Sequence, residues 1–299
     1  MNRRQFVQLG SASLMASAFS LRAAKPAVSL GFSLYGMKTV PLAEALKTCA
    51  EIGYKNVELA LGTGYPTEPK ILSPADRKNL RELLAQHHLS VSGVMDNMSL
   101  AADDKAHAQN LERIKVAAQL GHDIAPEQPP ILESVLGGKP DQWDTIKDKM
   151  AERARDWAAA AAAGKITVLL KPHVGSAVNS PERLLWLYQQ VKSPAVKLCY
   201  DFSHFEVAGM DLETTLKALI SETRFIHVKD TTGDSKKFQF LLPGDGRTDY
   251  AKYATLLAEL KWSGPVVVEV SAQVFNQPGY DPIAAAKKCY AALAPKFGL

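Results

Sequence analysis

The sequence predicts a single (β/α)8 barrel of the α/β class, and three observations support this. The chain has 299 residues, and one such barrel usually takes about 250 residues. Short apolar, β-branched runs alternate with segments whose apolar residues recur every three to four positions, as strands and their following helices do. About eight such units follow Val28. A doubly wound sheet is the alternative, but the first strand is not followed by a glycine-rich phosphate loop.

Each unit supplies one strand and one amphipathic helix. The helices show apolar stripes such as Leu42, Leu46 and Cys49, and some begin at capping residues such as Ser180 and Asp211. Four prolines between Gly121 and Pro140 make the fourth strand the hardest to place. The expected strands are Val28–Leu34, Asn56–Leu61, Ser90–Met95, Ile131–Leu136, Thr167–Leu170, Val196–Tyr200, Arg224–Val228 and Val266–Val270.

The composition excludes several classes of protein. With 46% hydrophobic and 22% charged residues, the chain is neither disordered nor fibrous. Its formal net charge is +4, and the first 24 residues hold three arginines and no acid, which leaves +1 for the remainder. This argues against nucleic acid as a partner. The cysteines are too scattered for a disulfide framework or a thiolate zinc site; they are Cys49, Cys199 and Cys289.

The N-terminal segment, residues 1–24, has the features of an export signal. Arg3-Arg4-Gln5-Phe6 resembles the twin-arginine pattern, and an apolar, small-residue stretch follows from Leu9 to Leu21. That stretch is too short to span a bilayer comfortably, which argues against a stable membrane anchor. We therefore expect an exported, periplasmic protein whose barrel occupies residues 25–299. Because twin-arginine export carries folded proteins, this route suits a protein that binds its metal in the cytoplasm before export.

Charged and polar residues end several of the expected strands, where a barrel enzyme has its active site. Asp201, His227 and Glu269 end three consecutive strands. Singly, these residues have ordinary structural explanations: a loop cap, a core histidine and half of a buried ion pair. Together, two carboxylates and an imidazole predict a site for a divalent ion, which we expect to be manganese, magnesium or zinc.

Four motifs carry a family resemblance: Tyr200-Asp201-Phe202-Ser203-His204, Phe225-Ile226-His227-Val228-Lys229-Asp230, Leu242-Pro243-Gly244-Asp245-Gly246 and Val268-Glu269. They resemble the sugar phosphate isomerase/epimerase superfamily, the xylose isomerase-like barrels that also include AP endonuclease family 2. The resemblance implies a metal held by a glutamate after strand five, then by an aspartate, a histidine and a glutamate after the next three strands. The last three match Asp201, His227 and Glu269. The first position holds Lys171.

This departure alters the expected chemistry, because a protonated lysine cannot ligate a metal and repels a dication. Glu133, which lies in strand four, is the nearest replacement ligand, or else the ion-pair partner of Lys171. Lys171 is then either a general base with a lowered pKa or an electrostatic clamp for an enolate oxygen. His173 and His204 are the other candidate proton carriers.

Three functions remain open. The first is a metal-dependent isomerase or epimerase that removes a proton next to the carbonyl of a non-phosphorylated sugar. The second is a lyase or hydratase that acts by β-elimination on a 3-keto-glycoside. The third is a non-catalytic sugar-binding barrel. The expected partner is a small carbohydrate in each case, and the oligomeric state is left open. Phosphosugars are largely intracellular, which favours a neutral substrate for an exported protein.

Overall fold

The protein is described here by a computed structural model covering residues 28–299, and its centre is a closed barrel of eight parallel strands. The predicted (β/α)8 class is confirmed. The expected export segment, residues 1–24, lies outside the described residues. The barrel strands are β1 (Val28–Ser33), β2 (Asn56–Ala60), β3 (Ser90–Met95), β4 (Ile131–Val135), β5 (Val168–Lys171), β6 (Val196–Asp201), β7 (Thr223–Val228) and β10 (Gly264–Val268); a hairpin of β8 (Asp230–Asp234) and β9 (Lys237–Leu241) lies between the last two.

The helices surround the barrel and begin where the sequence provides caps. Ser180 and Asp211 accept hydrogen bonds from the backbone N–H of Arg183 and Thr214, as their positions in the sequence predict. The helices are α1 (Leu42–Ile52), α2 (Pro74–Gln86), α3 (Asp104–Ile124), α4 (Trp143–Ala163), α5 (Pro181–Val191), α6 (Phe202–Glu206), α7 (Leu212–Leu219), α8 (Tyr250–Glu259), α9 (Ala272–Phe275) and α10 (Pro282–Phe297).

The predicted strands all correspond to barrel strands, and their bounds agree to within two residues at each end. Even β4, beside the prolines, begins at Ile131 as expected. The largest difference is at the last strand, which runs from Gly264 to Val268 and therefore leaves Glu269 just beyond its end. The hairpin of β8 and β9 is not predicted from the sequence.

The barrel closes in the order β1-β10-β7-β6-β5-β4-β3-β2, and its interior is built in layers. One apolar layer consists of Leu169, Cys199, Phe225 and Val267. Because side chains alternate between the faces of a strand, residues two positions later point into the barrel as well. These positions hold Lys171, Asp201, His227 and Glu269. The fold thus stacks an ionisable layer on an apolar one at the carboxyl ends of four neighbouring strands.

Among residues 28–299, no helix combines the length and the apolar character that crossing a membrane requires.

Candidate active site

The ionisable layer lines a cavity at the carboxyl ends of the strands. Its volume is about 380 Å³, within the range of small-molecule sites. Lys171, His173, His204, Lys229 and Glu269 face it, beside Tyr35 and Phe240. A larger hollow of about 860 Å³ lies at the opposite end of the barrel, where barrel enzymes do not place their chemistry.

Asp201, His227 and Glu269 converge as predicted. One donor atom from each lies within 4.8 Å of the others, and Asp201 and His227 pair directly in the register of β6 and β7. The Asp201 and His227 side chains are fully buried, and that of Glu269 is 12% exposed. As a set of donors, this group has the composition and the spacing of ligands to one divalent ion.

The ammonium group of Lys171 lies among these same three donors. Its Nζ is 2.7 Å from His227 Nδ1, 2.9 Å from Glu269 Oε2 and 3.6 Å from Asp201 Oδ2. A second ammonium group, that of Lys229, donates hydrogen bonds to the same two carboxylate oxygens. Two buried negative charges are therefore matched by two buried positive charges, without a further cation.

The charge of Lys171 decides whether a resident metal would fit this site. Burial disfavours the charge on Lys171, but Glu133, Glu269 and Asp201 outweigh it and hold its pKa well above the ordinary value. The lysine therefore stays protonated at neutral pH. A dication at about 4 Å from one ammonium would be repelled by roughly 8 kcal/mol at an effective dielectric constant of 20. The donors converge as metal ligands do, but the charges around them do not accept a dication while Lys171 keeps its place.

The two carboxylates remain ionised in spite of their burial. Burial raises the pKa of Asp201, but Lys229 and His204 outweigh it and hold that pKa well below its usual range. Lys171 and Lys229 likewise lower the pKa of Glu269 against the effect of burial. Glu269 Oε2 accepts from both lysines, whereas its Oε1 makes no hydrogen bond within the part of the chain that is described. Oε1 is thus the oxygen available to a substrate.

The two predicted proton carriers, His173 and His204, lie side by side with their ring centroids 4.2 Å apart. Burial lowers the pKa of His173 to about 3 and that of His204 to about 4, so both are neutral at neutral pH. His204 Nε2 lies 3.3 Å from Asp201 Oδ2, while its buried Nδ1 has no partner among residues 28–299. His173 Nδ1 accepts from the backbone N–H of Gly175 at 3.0 Å, which places the ring proton on Nε2.

Glu133 lies deeper in the barrel and stands apart from the predicted ligand group. One carboxylate oxygen of Glu133 lies within 4.8 Å of possible metal-ligand atoms of Cys199 and His227. Lys171 donates to His227 and Glu269 rather than to Glu133, and Glu133 Oε2 has no hydrogen-bond partner in the described chain. Burial raises the pKa of Glu133 to about 7. No ion pair between Glu133 and Lys171 is found among residues 28–299, whereas the role of Glu133 as a metal ligand stays a prediction, because one of its oxygens lies within 4.8 Å of a His227 ring nitrogen.

Two residues of the site are missed by the sequence reasoning. Lys229 is given no role of its own from the sequence, yet its side chain is 3% exposed and bridges Asp201 and Glu269. Glu58 accepts from His227 Nε2 at 3.0 Å and is fully buried. The alternation of side chains between the two faces of a strand could have identified Lys229, because it lies two positions after the inward-facing His227.

The fold agrees with that of known proteins. The profile of the xylose isomerase-like TIM barrel family matches residues 46–291. An inosose dehydratase of Mesomycoplasma hyopneumoniae is 24% identical over 253 residues, which span 76% of this chain and 80% of that relative.

Two solved structures share the barrel. One is an IolI protein with a bound zinc atom, with a TM-score of 0.75 and 20% identity over 91% of this chain and 100% of the other. Another is a 3-keto-D-glucoside 4-epimerase from E. coli, with a TM-score of 0.70 and 15% identity over 90% and 99% of the two chains. The family match covers most of the chain and agrees with its closed eight-stranded barrel. The chain belongs to the xylose isomerase-like TIM barrel family.

Proposed function

We propose that this protein is a carbohydrate lyase that removes a proton next to the carbonyl of a keto-sugar or keto-cyclitol and expels the group on the adjoining carbon. The observation that carries the proposal is the Lys171 ammonium at the end of β5. Epimerisation between two faces of one carbon needs two opposed bases, whereas elimination needs one base and a stabilised oxyanion. The site holds one carboxylate open to the cavity and two ammonium groups beside it.

The side chains divide this chemistry among themselves. Glu269 Oε1 is the proton acceptor, since Glu269 lines the cavity and this oxygen carries no hydrogen bond from the described residues. Lys229 donates hydrogen bonds to Asp201 and Glu269 through two of its three N–H groups, and the third N–H stabilises the enolate oxygen. His173 carries its proton on Nε2 and faces the cavity, so it can donate a hydrogen bond to the departing hydroxyl, which leaves as water with the proton that Glu269 has taken up.

The names of the relatives support this class of reaction. Relatives of this chain are named inosose dehydratases, and the similarity to them covers about three quarters of this chain. The 3-keto-D-glucoside 4-epimerase shares the barrel and acts on a keto-sugar. Removal of a proton beside a ketone is common to both reactions, and we assign that step to this site.

Epimerisation is the second candidate, and the pair of histidines favours it. His173 and His204 lie side by side at the cavity wall, with their ring planes tilted by 44°. One of them can return its N–H proton to the carbon that Glu269 deprotonates, the ring then taking up a proton from solvent while Glu269 releases its own. This mechanism replaces the second carboxylate of the family's epimerases with an imidazole.

Dependence on manganese, magnesium or zinc is supported by the three converging donors and by the zinc atom in a solved neighbour. The two lysines oppose it. We therefore assign the proton transfer and the oxyanion stabilisation to side chains of this chain and do not route them through a metal.

The experiment is to measure deuterium uptake from solvent and product formation on a panel of keto-cyclitols, 3-keto-glycosides and free ketoses. Glu269→Gln should lower the rate of exchange by roughly 10²- to 10⁴-fold, the scale of one acid–base group. Glu222→Gln is the matched control, because Glu222 also pairs with a lysine but does not line the cavity. Saturable binding without exchange on any member would favour the non-catalytic sugar-binding barrel instead.

We also propose that residues 1–24 direct export and that the substrate carries no phosphate. The twin arginines support export. The lysines that line the cavity, Lys171 and Lys229, are both paired with carboxylates, so their positive charge is already balanced and a doubly negative phosphate would be disfavoured. Replacing Arg3 and Arg4 by lysine should retain folded protein in the cytoplasm, as immunoblots of cell fractions would show. Normal periplasmic recovery of this variant would argue against the signal.

A further inference from the structure

The ammonium pair, Lys171 and Lys229, lies in the position where a metal-dependent barrel would hold its cation. Lys171 Nζ lies within 3.6 Å of one donor atom on each of Asp201, His227 and Glu269. A cation bound by these three donors would compete for the same space and the same lone pairs.

Lys229, just beyond the end of β7, completes the replacement. It donates to Asp201 Oδ2 and Glu269 Oε2, the same oxygens that Lys171 approaches. The ring of Phe240 covers its Nζ, with the centroid 5.1 Å away, which is a favourable cation–π distance. Both ammonium groups are almost completely buried, and burial restricts exchange of either with a cation from solution.

The charges of Asp201 and Glu269 are balanced without an ion. Two carboxylates, Asp201 and Glu269, face two ammonium groups, and the Nδ1 lone pair of His227 accepts a hydrogen bond from Lys171. Each donor atom that would have held a metal already has a hydrogen-bonded or charged partner within the chain.

We propose that the ammonium pair takes over the role of the divalent cation, so that this barrel works without a metal. The pair neutralises the carboxylates and presents positive charge to the oxygen of the substrate. Only the last part rests on the proposed function; the replacement of the cation does not.

The first test is the metal content of the full-length protein purified from medium that contains manganese, magnesium and zinc. We expect far less than one ion per chain by elemental analysis, and a thermal unfolding midpoint that a chelator does not change. One tightly held ion per chain, with a midpoint that falls when the ion is removed, would overturn the proposal. Neither measurement needs a substrate, so failure of the proposed reaction leaves the result intact.

The second test restores the carboxylate that the family resemblance places at the end of β5. Lys171→Glu should convert the ammonium site into a four-donor metal site, and titration with Mn²⁺ or Zn²⁺ should show one ion bound per chain and a raised thermal midpoint. Lys171→Gln is the matched control, since it removes the charge without adding a carboxylate, and we expect much weaker binding from it. Equal binding by wild type and Lys171→Glu would contradict the proposal; should the glutamate variant not fold, the wild-type metal content decides alone.

Discussion

Lys171 and Lys229 are both buried, yet their hydrogen bonds give them different roles. Lys171 is held by His227 and Glu269 and approaches Asp201, so its N–H groups are directed at protein atoms. Lys229 holds the two carboxylates alone, and no third acceptor for it lies in residues 28–299. At the scale of single residues, Lys171 organises the site, whereas Lys229 has a donor left for a substrate.

Replacing Lys229 by methionine tests this difference. We expect the turnover of folded Lys229→Met to fall roughly 10²- to 10³-fold, the cost of losing one oxyanion-stabilising donor, when followed by solvent deuterium exchange. The variant should also lose about 3 kcal/mol of stability, because a buried ion pair loses one partner.

Lys197→Met is the control for that variant. Lys197 pairs with Glu222 and hydrogen-bonds Tyr188 away from the cavity, so turnover should not change. If Lys229→Met folds and keeps full turnover, the proposed role of Lys229 is wrong.

At the scale of elements, the hairpin of β8 and β9 forms one wall of the site. Asp230 fixes it, since its carboxylate accepts backbone N–H bonds from Thr231, Gly244 and Thr248 at 2.9 to 3.0 Å. A Cβ on Gly246 would lie 2.4 Å from Asp230 Oδ1, which explains why the loop after the hairpin needs a glycine there. The hairpin then brings Phe240 over Lys229 and against His204.

Removing the ring of Phe240 should therefore impair the site without unfolding the barrel. We expect Phe240→Ala to lower turnover roughly tenfold, through the lost cation–π contact with a desolvated lysine and the entry of water. Phe238→Ala is the matched control, because Phe238 lies on the same hairpin, contacts Phe240 and does not line the cavity. Equal losses in the two variants would mean that the hairpin acts through packing alone.

Some of these elements could be predicted from the sequence and others could not. The barrel strands could be predicted because each is a short apolar run, and Asp201, His227 and Glu269 because they end such runs. β8 could not, since Thr232, Gly233 and Asp234 are polar and exposed and lack the alternation of a half-buried strand. Contacts such as that between Glu58 and His227 join residues far apart in sequence, and only closure of the barrel brings them together.

At the scale of the whole molecule, the barrel keeps a network of ionisable groups out of water, and this links its stability to pH. The pKa of His173 is lowered by burial to about 3. Below its ordinary value of 6.5, the unfolded chain binds a proton that the folded chain does not, so stability falls as the pH falls. Glu133, with its pKa raised to about 7, acts in the opposite direction between pH 4.5 and 7.

The contribution of His173 is isolated by comparing wild type with His173→Gln. Between pH 6.5 and about pH 5, the wild type should lose roughly 1.5 kcal/mol more stability than the variant, as urea unfolding at the two pH values would show. His87→Gln, a substitution at the end of α2 and away from the cavity, should follow the wild type. Parallel pH profiles for wild type and His173→Gln would contradict the lowered pKa.

The direction of the barrel strands has one further consequence. Val28 begins β1 at the amino end of the strands, and the cavity lies at their carboxyl ends. Whatever precedes Val28 therefore joins the barrel on the face opposite the opening. A mature protein immobilised on a bead or an electrode through a tag at this end would still present its opening to the solution, and a reactor built in this way would admit substrate freely.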